Sequence, residues 1–339
     1  MKGRYFKSVA ETTPTEFWIN NATPEQASQA LELGAVGATT NPTYLARIVR
    51  NDGEALAQLD AAVERNDGLE EVIMQAYSWS VLRLQKRFLP LYKRSQGRYG
   101  LVAIQGNPRR NNDADFIIDE GLRLAALAEN IILKVPSTEA GAAAMEVLVR
   151  HDIPMIATLG FSVSQAIFMA EAYQRASQHS GKTPLCYVTY IAGLLDEGLA
   201  AEAKRHNLPL DQATLRAAGC EGTRIAYSEY GKRNFKARLM GGGARGSHHF
   251  AELVGGDLAV TIGWDLAEAL KDEVPEKRID KHASSETIEA LRAHLPDFRK
   301  ATEPDALAPG EFPDFGPVRA FQSSFLKAFD ELEAQIATR

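Results

Sequence analysis

The chain has 339 residues, 45% of them hydrophobic and 24% charged, with 38 basic and 44 acidic side chains and a net charge of -6. This composition excludes a disordered polymer, and with no long Lys/Arg run it argues against nucleic acid as a partner. The two cysteines, Cys186 and Cys220, have neither metal-ligand spacing nor a disulfide framework, the N-terminus has no signal-peptide core, and no apolar stretch nears the ~20 residues of a membrane span, so a cytoplasmic protein with no membrane partner is expected.

Short apolar runs alternate with longer amphipathic segments from residue 17 to about residue 271. In chain order the runs are FWIN (17–20), GATT (37–40), LVAIQ (101–105), IILKV (131–135), MIATL (155–159), CYVTY (186–190), ARLMG (237–241) and LAVTI (258–262). Several are continuously apolar, as strands covered on both faces require. Eight strands with intervening helices predict an α/β fold, a TIM (β/α)8 barrel. The interval 44–100 is long for one repeat and predicts two or three helices. After IILKVP, residues 139–150 have helical apolar spacing and end on Arg150, favourable at a helix C-terminus. After MIATLGF, Ser162 and Gln165 form a capping box that opens the next helix. Residues 295–317 are rich in Pro, Asp, Glu and Gly, and Pro317 then suits the first turn of a last helix. Val318, Phe321, Phe325, Phe329, Leu332 and Ile336 make one apolar face along it. The chain therefore divides into a catalytic barrel, 1–271, and a C-terminal helical extension, 272–339. The extension packs on the barrel or on a neighbouring subunit, the latter as a homo-oligomer.

In a parallel barrel the active site lies at the C-terminal ends of the strands. Those ends carry Asn20 and Asn21, Thr39 to Asn41, Gln105, Lys134, Thr158, Tyr190 and, past the glycines, Arg245. Lys134 stands among Ile131, Ile132, Leu133 and Val135. An inward-facing ammonium there loses solvation, its pKa falls, and the neutral amine can attack a carbonyl to form an imine. On pattern alone the side chain equally well snorkels outward or pairs with a carboxylate. Imine chemistry also needs groups that move protons, and the amide of Gln105, the hydroxyl of Thr158 and the phenol of Tyr190 can hold a water for that purpose. Gly241, Gly242 and Gly243 followed by Arg245 fit either an anion site or a tight turn with a solvated arginine. The His248-His249 pair lacks a third ligand and reads as an exposed helix start, so no metal is expected.

GATTNPTYL (37–45), ILKVPST (132–138) and ATLGFSVSQA (157–166) resemble, in order, the TTNP motif, the lysine-bearing strand and the following strand and helix start of transaldolases. CYVTYIAGLLDE and LMGGGAR are similar in position. The resemblance covers about residues 17–271. It implies a class I enzyme of carbohydrate metabolism, of pentose phosphate type, that needs no cofactor: Lys134 forms a Schiff base with a ketose and passes on a dihydroxyacetone unit. It also implies that Asn41 touches the bound three-carbon unit, with Thr40 and Gly243 beside the substrate, and that Thr158 and Gln105 hold the catalytic water. Gln105 and Tyr190 match the fructose-6-phosphate aldolase branch, where aldol cleavage frees dihydroxyacetone. The sequence departs from the family at three places. Asn20 stands where an acid/base Asp is usual, Ile156 where an Asn is usual, and Gly193 where the first phosphate-binding arginine falls, a loss that Arg109 or Arg110 could offset. The partner implied is a small-molecule sugar or sugar phosphate. A non-catalytic sugar-phosphate-binding barrel is the alternative.

Overall fold

The apolar runs form β1 (Glu16–Asn20), β2 (Gly37–Thr39), β3 (Leu101–Gln105), β4 (Ile131–Pro136), β5 (Met155–Thr158), β6 (Cys186–Ile191), β7 (Arg238–Gly242) and β8 (Ala259–Ile262). The computed structural model describes residues 3–65 and 68–338. Each strand pairs in parallel with its sequence neighbours and β8 closes onto β1, which makes the expected TIM (β/α)8 barrel. All residues of β2, β3, β5, β6 and β8 are buried, because one strand face fills the barrel and the other lies under helices.

Strand alternation then sorts the side chains into layers. Trp18, Leu101, Ala103, Ile132, Ile156, Tyr187, Met240 and Ala259 form an apolar cluster distinct from the larger one between strands and helices. At its N-terminal side Glu16 accepts from Arg238 Nη1 at 2.5 Å and from the Tyr187 hydroxyl at 2.7 Å, while Arg238 Nη2 donates to Asp257 at 2.7 Å. At its C-terminal side the same inward rows continue into polar residues.

Three helices fill the interval after β2: Thr43–Ile48, Gly53–Glu64 and Leu69–Arg94. Helix Glu139–Arg150 starts on Thr138, whose hydroxyl accepts from Gly141 N at 3.1 Å, a cap that contributes roughly 1 kcal/mol. The Ser162 box is altered in one arm. Ser162 Oγ accepts from Gln165 N at 3.1 Å as expected, but Gln165 Oε1 accepts from Phe161 N at 2.9 Å, one residue earlier than a reciprocal box requires.

The last helix, Gly316–Ile336, has Pro317 in its first turn. Val318, Phe325, Phe329, Leu332 and Ile336 are buried, and the helix packs against Thr43–Ile48, Leu69–Arg94 and Ala192–Arg205 of the same chain. Arg109 fastens it from the loop after β3, donating to Asp330 at 2.7 Å and to Glu333 at 2.6 Å. Among the described residues no helix is long and apolar enough to cross a membrane.

Candidate active site

A cavity of about 850 Å³ opens at the C-terminal ends of the strands. Lys134 reaches it from β4 and is only partly exposed. Its strand neighbours are Gln105 on β3 and Ile156 on β5, and the apolar interior cluster lies beneath it. Among the described residues no hydrogen bond or ion pair engages Nζ. Burial alone therefore acts on the ammonium, lowering its pKa from the ordinary 10.5 to about 8.

The polar groups around it follow from strand alternation. Gln105, in the inward row of Leu101 and Ala103, is 3% exposed, and both amide atoms lack a hydrogen-bond partner. Thr189 Oγ1 and Asn21 Oδ1 are likewise buried without partners. Such atoms are rare in folded interiors, where an unmet donor or acceptor costs about 1–3 kcal/mol; Asn21 and Thr189 line the cavity and can pair with a molecule that enters it, whereas Gln105 shares a small adjoining pocket with Lys134. Thr158 lines the cavity from β5 and is 2% exposed. Asn20 lines it from β1, with Oδ1 3.0 Å from Thr39 Oγ1, which is 2.6 Å from Thr261 Oγ1. When Thr39 donates to Asn20, Thr261 must donate to Thr39, and the Asn20 amide keeps its NH2 for the cavity. Asn41 behaves similarly. Its Oδ1 accepts from Thr43 N at 3.0 Å and Thr43 Oγ1 at 2.6 Å at the start of the following helix, and among the described residues Nδ2 makes no hydrogen bond.

Other expected site residues are placed differently. Tyr190 does not face the cavity: inward residues of β6 are Tyr187, Thr189 and Ile191, so Tyr190 points outward, where its hydroxyl donates to Ala301 O at 3.2 Å. It lies against Gly222, where a Cβ would come within 2.0 Å of the hydroxyl, so only glycine accommodates the ring. Thr40 also points out of the barrel. Its hydroxyl donates to Ala103 O at 2.7 Å and meets the Tyr77 hydroxyl at 2.6 Å, bracing β2 and β3 against the helix behind them. Gly243, at φ 63°, and Arg245 do line the cavity, but Arg245 Nε is 2.9 Å from Glu197 Oε1. Arg109 is held by Glu70, Asp330 and Glu333 away from any substrate role, and Arg110 stacks over Phe116.

The histidine pair is not an exposed helix start. His249 is 3% exposed with Nε2 3.0 Å from Asp196 Oδ2, and His248 joins them to bring three ligand-type atoms within 4.8 Å. Backbone N–H groups of Arg245 and Gly246 lie 3.4 and 3.3 Å from His249 Nδ1, which is also 3.2 Å from Gly246 O, so the ring is held on both sides. Arg216 occupies His248 Nδ1 at 3.1 Å.

The cavity wall includes residues that strand-end reasoning missed: Thr189, Ile191 and Thr261 from strands, Leu194 from the helix after β6, and Pro317, Ala320, Phe321 and Ser324 from the last helix. The three strand residues were open to a count of strand parity. Phe321 belongs to the apolar stripe of the last helix, and the other helix contributions carried no local signal.

Comparison with known proteins places this geometry in context. The family described as Transaldolase/Fructose-6-phosphate aldolase matches residues 17–309. A transaldolase of Mycolicibacterium smegmatis is 25% identical over 337 residues, covering 89% of this chain and 88% of that protein. Those of Thiobacillus denitrificans and Trichodesmium erythraeum are 30% and 24% identical over 172 and 244 residues, covering 47% and 66% of this chain and 46% and 64% of theirs.

Proposed function

The chain belongs to the transaldolase/fructose-6-phosphate aldolase family, and on that premise we propose that it is a class I enzyme in which Lys134 forms a Schiff base with a ketose and transfers or releases a dihydroxyacetone unit. Family membership implies a sugar or sugar phosphate as substrate. The observation that carries the mechanism is the unpartnered amine. With a pKa of about 8, about one Lys134 in ten is neutral at pH 7, against fewer than one in a thousand for an ordinary lysine.

Neutral Nζ attacks the C2 carbonyl, and the carbinolamine loses its hydroxyl as water to leave the imine. The imine draws in the electrons of the C3–C4 bond as the C4 hydroxyl loses its proton. An aldehyde departs and a three-carbon enamine stays on Lys134. Addition of the enamine to a second aldehyde completes transfer; protonation at carbon and hydrolysis complete cleavage. An amide cannot take up the C4 proton, so Asn20 orients the hydroxyl and a water between Gln105 and Thr158 accepts the proton. The free Nδ2 of Asn41 binds a hydroxyl of the three-carbon unit. Gln105, which resembles the aldolase branch, favours a second reading in which dihydroxyacetone is set free. Tyr190 lends that reading no support, since it faces away from the cavity.

Borohydride reduction in the presence of dihydroxyacetone or fructose 6-phosphate tests the mechanism. The peptide bearing Lys134 should gain the mass of the reduced three-carbon unit; an unmodified Lys134 with both ketoses refutes it and leaves a binding protein. Release of dihydroxyacetone without an acceptor aldehyde separates cleavage from strict transfer.

A further inference from the structure

Gly243 and Arg245 line the cavity from the loop after β7. The one arginine that a glycine loop supplies there, Arg245, is already engaged: Nε lies 2.9 Å from Glu197 Oε1, and Nη1 lies 3.4 Å from the carbonyl oxygens of both Gly243 and Ala244. A phosphate entering beside Arg245 would meet the Glu197 carboxylate at the same distance scale, and the repulsion offsets the attraction. Backbone donors are no more available. The N–H groups of Arg245 and Gly246, the ones a phosphate at this turn would use, are aimed at His249 Nδ1, and His249 is buried and held by Asp196.

The remaining wall repeats the pattern. Arg205 and Glu202 line the cavity one turn apart, and with Glu197 and Asp297 three carboxylates face the two guanidiniums of Arg205 and Arg245. Glu202 is held above its ordinary range, first by burial and then by Asp297, as expected where negative charge is in excess. No further cation can be added at Gly193, because a Cβ there would come within 2.4 Å of Gly243 O and 2.7 Å of Arg245 N. Its neighbour Leu194 lines the cavity instead.

From this arrangement we infer that the aldehyde partner of the reaction is an unphosphorylated aldose or other small aldehyde, whose neutral distal end meets Leu194, Phe321 and Ser324 in place of an ion pair. The inference rests on the Schiff-base reading of Lys134 for the reaction itself, and names the class of molecule that the far end admits.

Aldol synthesis from dihydroxyacetone with D-glyceraldehyde or with D-glyceraldehyde 3-phosphate reads the preference directly. The expected ratio of kcat/KM, phosphorylated over unphosphorylated, is below about one in the natural chain and rises about tenfold in Glu197→Gln, which releases Arg245 for a charge-assisted contact. A ratio above about one in the natural chain, or no rise in Glu197→Gln, overturns the inference. Titration with inorganic phosphate, followed by calorimetry, decides the same question without catalysis: no binding up to roughly 10 mM in the natural chain and measurable binding in Glu197→Gln support it, and binding in the natural chain overturns it. If dihydroxyacetone leaves no adduct on Lys134 while phosphate behaves as expected, the Schiff-base reading falls and the assignment of an anion-repelling wall stands.

Discussion

Two basic side chains stand inside the same barrel, one at each end of the strands, and they are provided for in opposite ways. At the N-terminal end Arg238 has Glu16 at 2.5 Å and Asp257 at 2.7 Å, the Tyr187 hydroxyl completes the cluster, and only the arginine Nε lacks a partner. At the C-terminal end Lys134 has no counter-ion among the described residues, and buried amide and hydroxyl groups near it are unpaired as well. A paired charge in a low-dielectric interior holds strands in register and resists change, whereas an unpaired one keeps its chemistry available and lowers stability. The contrast sets a lower end whose charges are paired against an upper end whose groups are left available, as the proposed reaction requires.

Replacing Lys134 tests the contrast most severely. Lys134→Met should reduce kcat/KM by at least about a thousandfold, because the covalent route is lost. The same variant should be more stable at pH 7 by about 1–3 kcal/mol, since an uncompensated charge is removed from a partly exposed site. Urea melts check this, and a destabilised Lys134→Met would break the comparison. The opposite outcome is expected below: Glu16→Gln leaves Arg238 short of charge and should lower stability by about 2–4 kcal/mol, yet the borohydride adduct at Lys134 should still form.

pH sharpens the same point. Adduct formation should rise roughly tenfold per unit up to about pH 8 and then level, as the amine loses its proton. The folded pKa of about 8 lies below the ordinary value of 10.5, so between them the unfolded chain holds more protons and native stability increases with pH. Below about pH 8 both states are protonated and the contribution is constant. The slope in stability above pH 8 should shrink in Lys134→Met. The smallest effect concerns Tyr190: Tyr190→Phe removes one hydrogen bond to Ala301 and should cost about 1 kcal/mol of stability, with kcat/KM changed less than about threefold. A loss beyond a hundredfold would mean that the phenol does reach the reacting groups.

How far the sequence could be read depends on what each signal encodes. Apolar runs and their spacing are local, so the eight strands and the closed barrel were legible. The inward placement of Lys134, Gln105 and Thr158 was legible too, as polar residues at the ends of such runs. Tyr190 was not, because CYVTYI is buried throughout and has no polar alternation to reveal which side chains face inward; pairing with β5 and β7 fixes that parity. Thr40 was misplaced for the same reason, at the end of a three-residue strand. The pairing of His249 with Asp196 joins residues 53 positions apart, and that of Arg245 with Glu197 spans a similar distance, so neither has a local signature. The apolar stripe of the last helix was plain, but its docking against Thr43–Ile48 and over the cavity depends on surfaces that exist only once the barrel has closed.

That docking has a consequence for biosynthesis. Pro317, Ala320, Phe321 and Ser324 finish the wall around a lysine made some 180 residues earlier, and all eight strands leave the ribosome before the helix that carries them. A chain that lacked this helix would keep Lys134 in an unfinished chamber, so the last segment to be made completes a wall begun by the first strands.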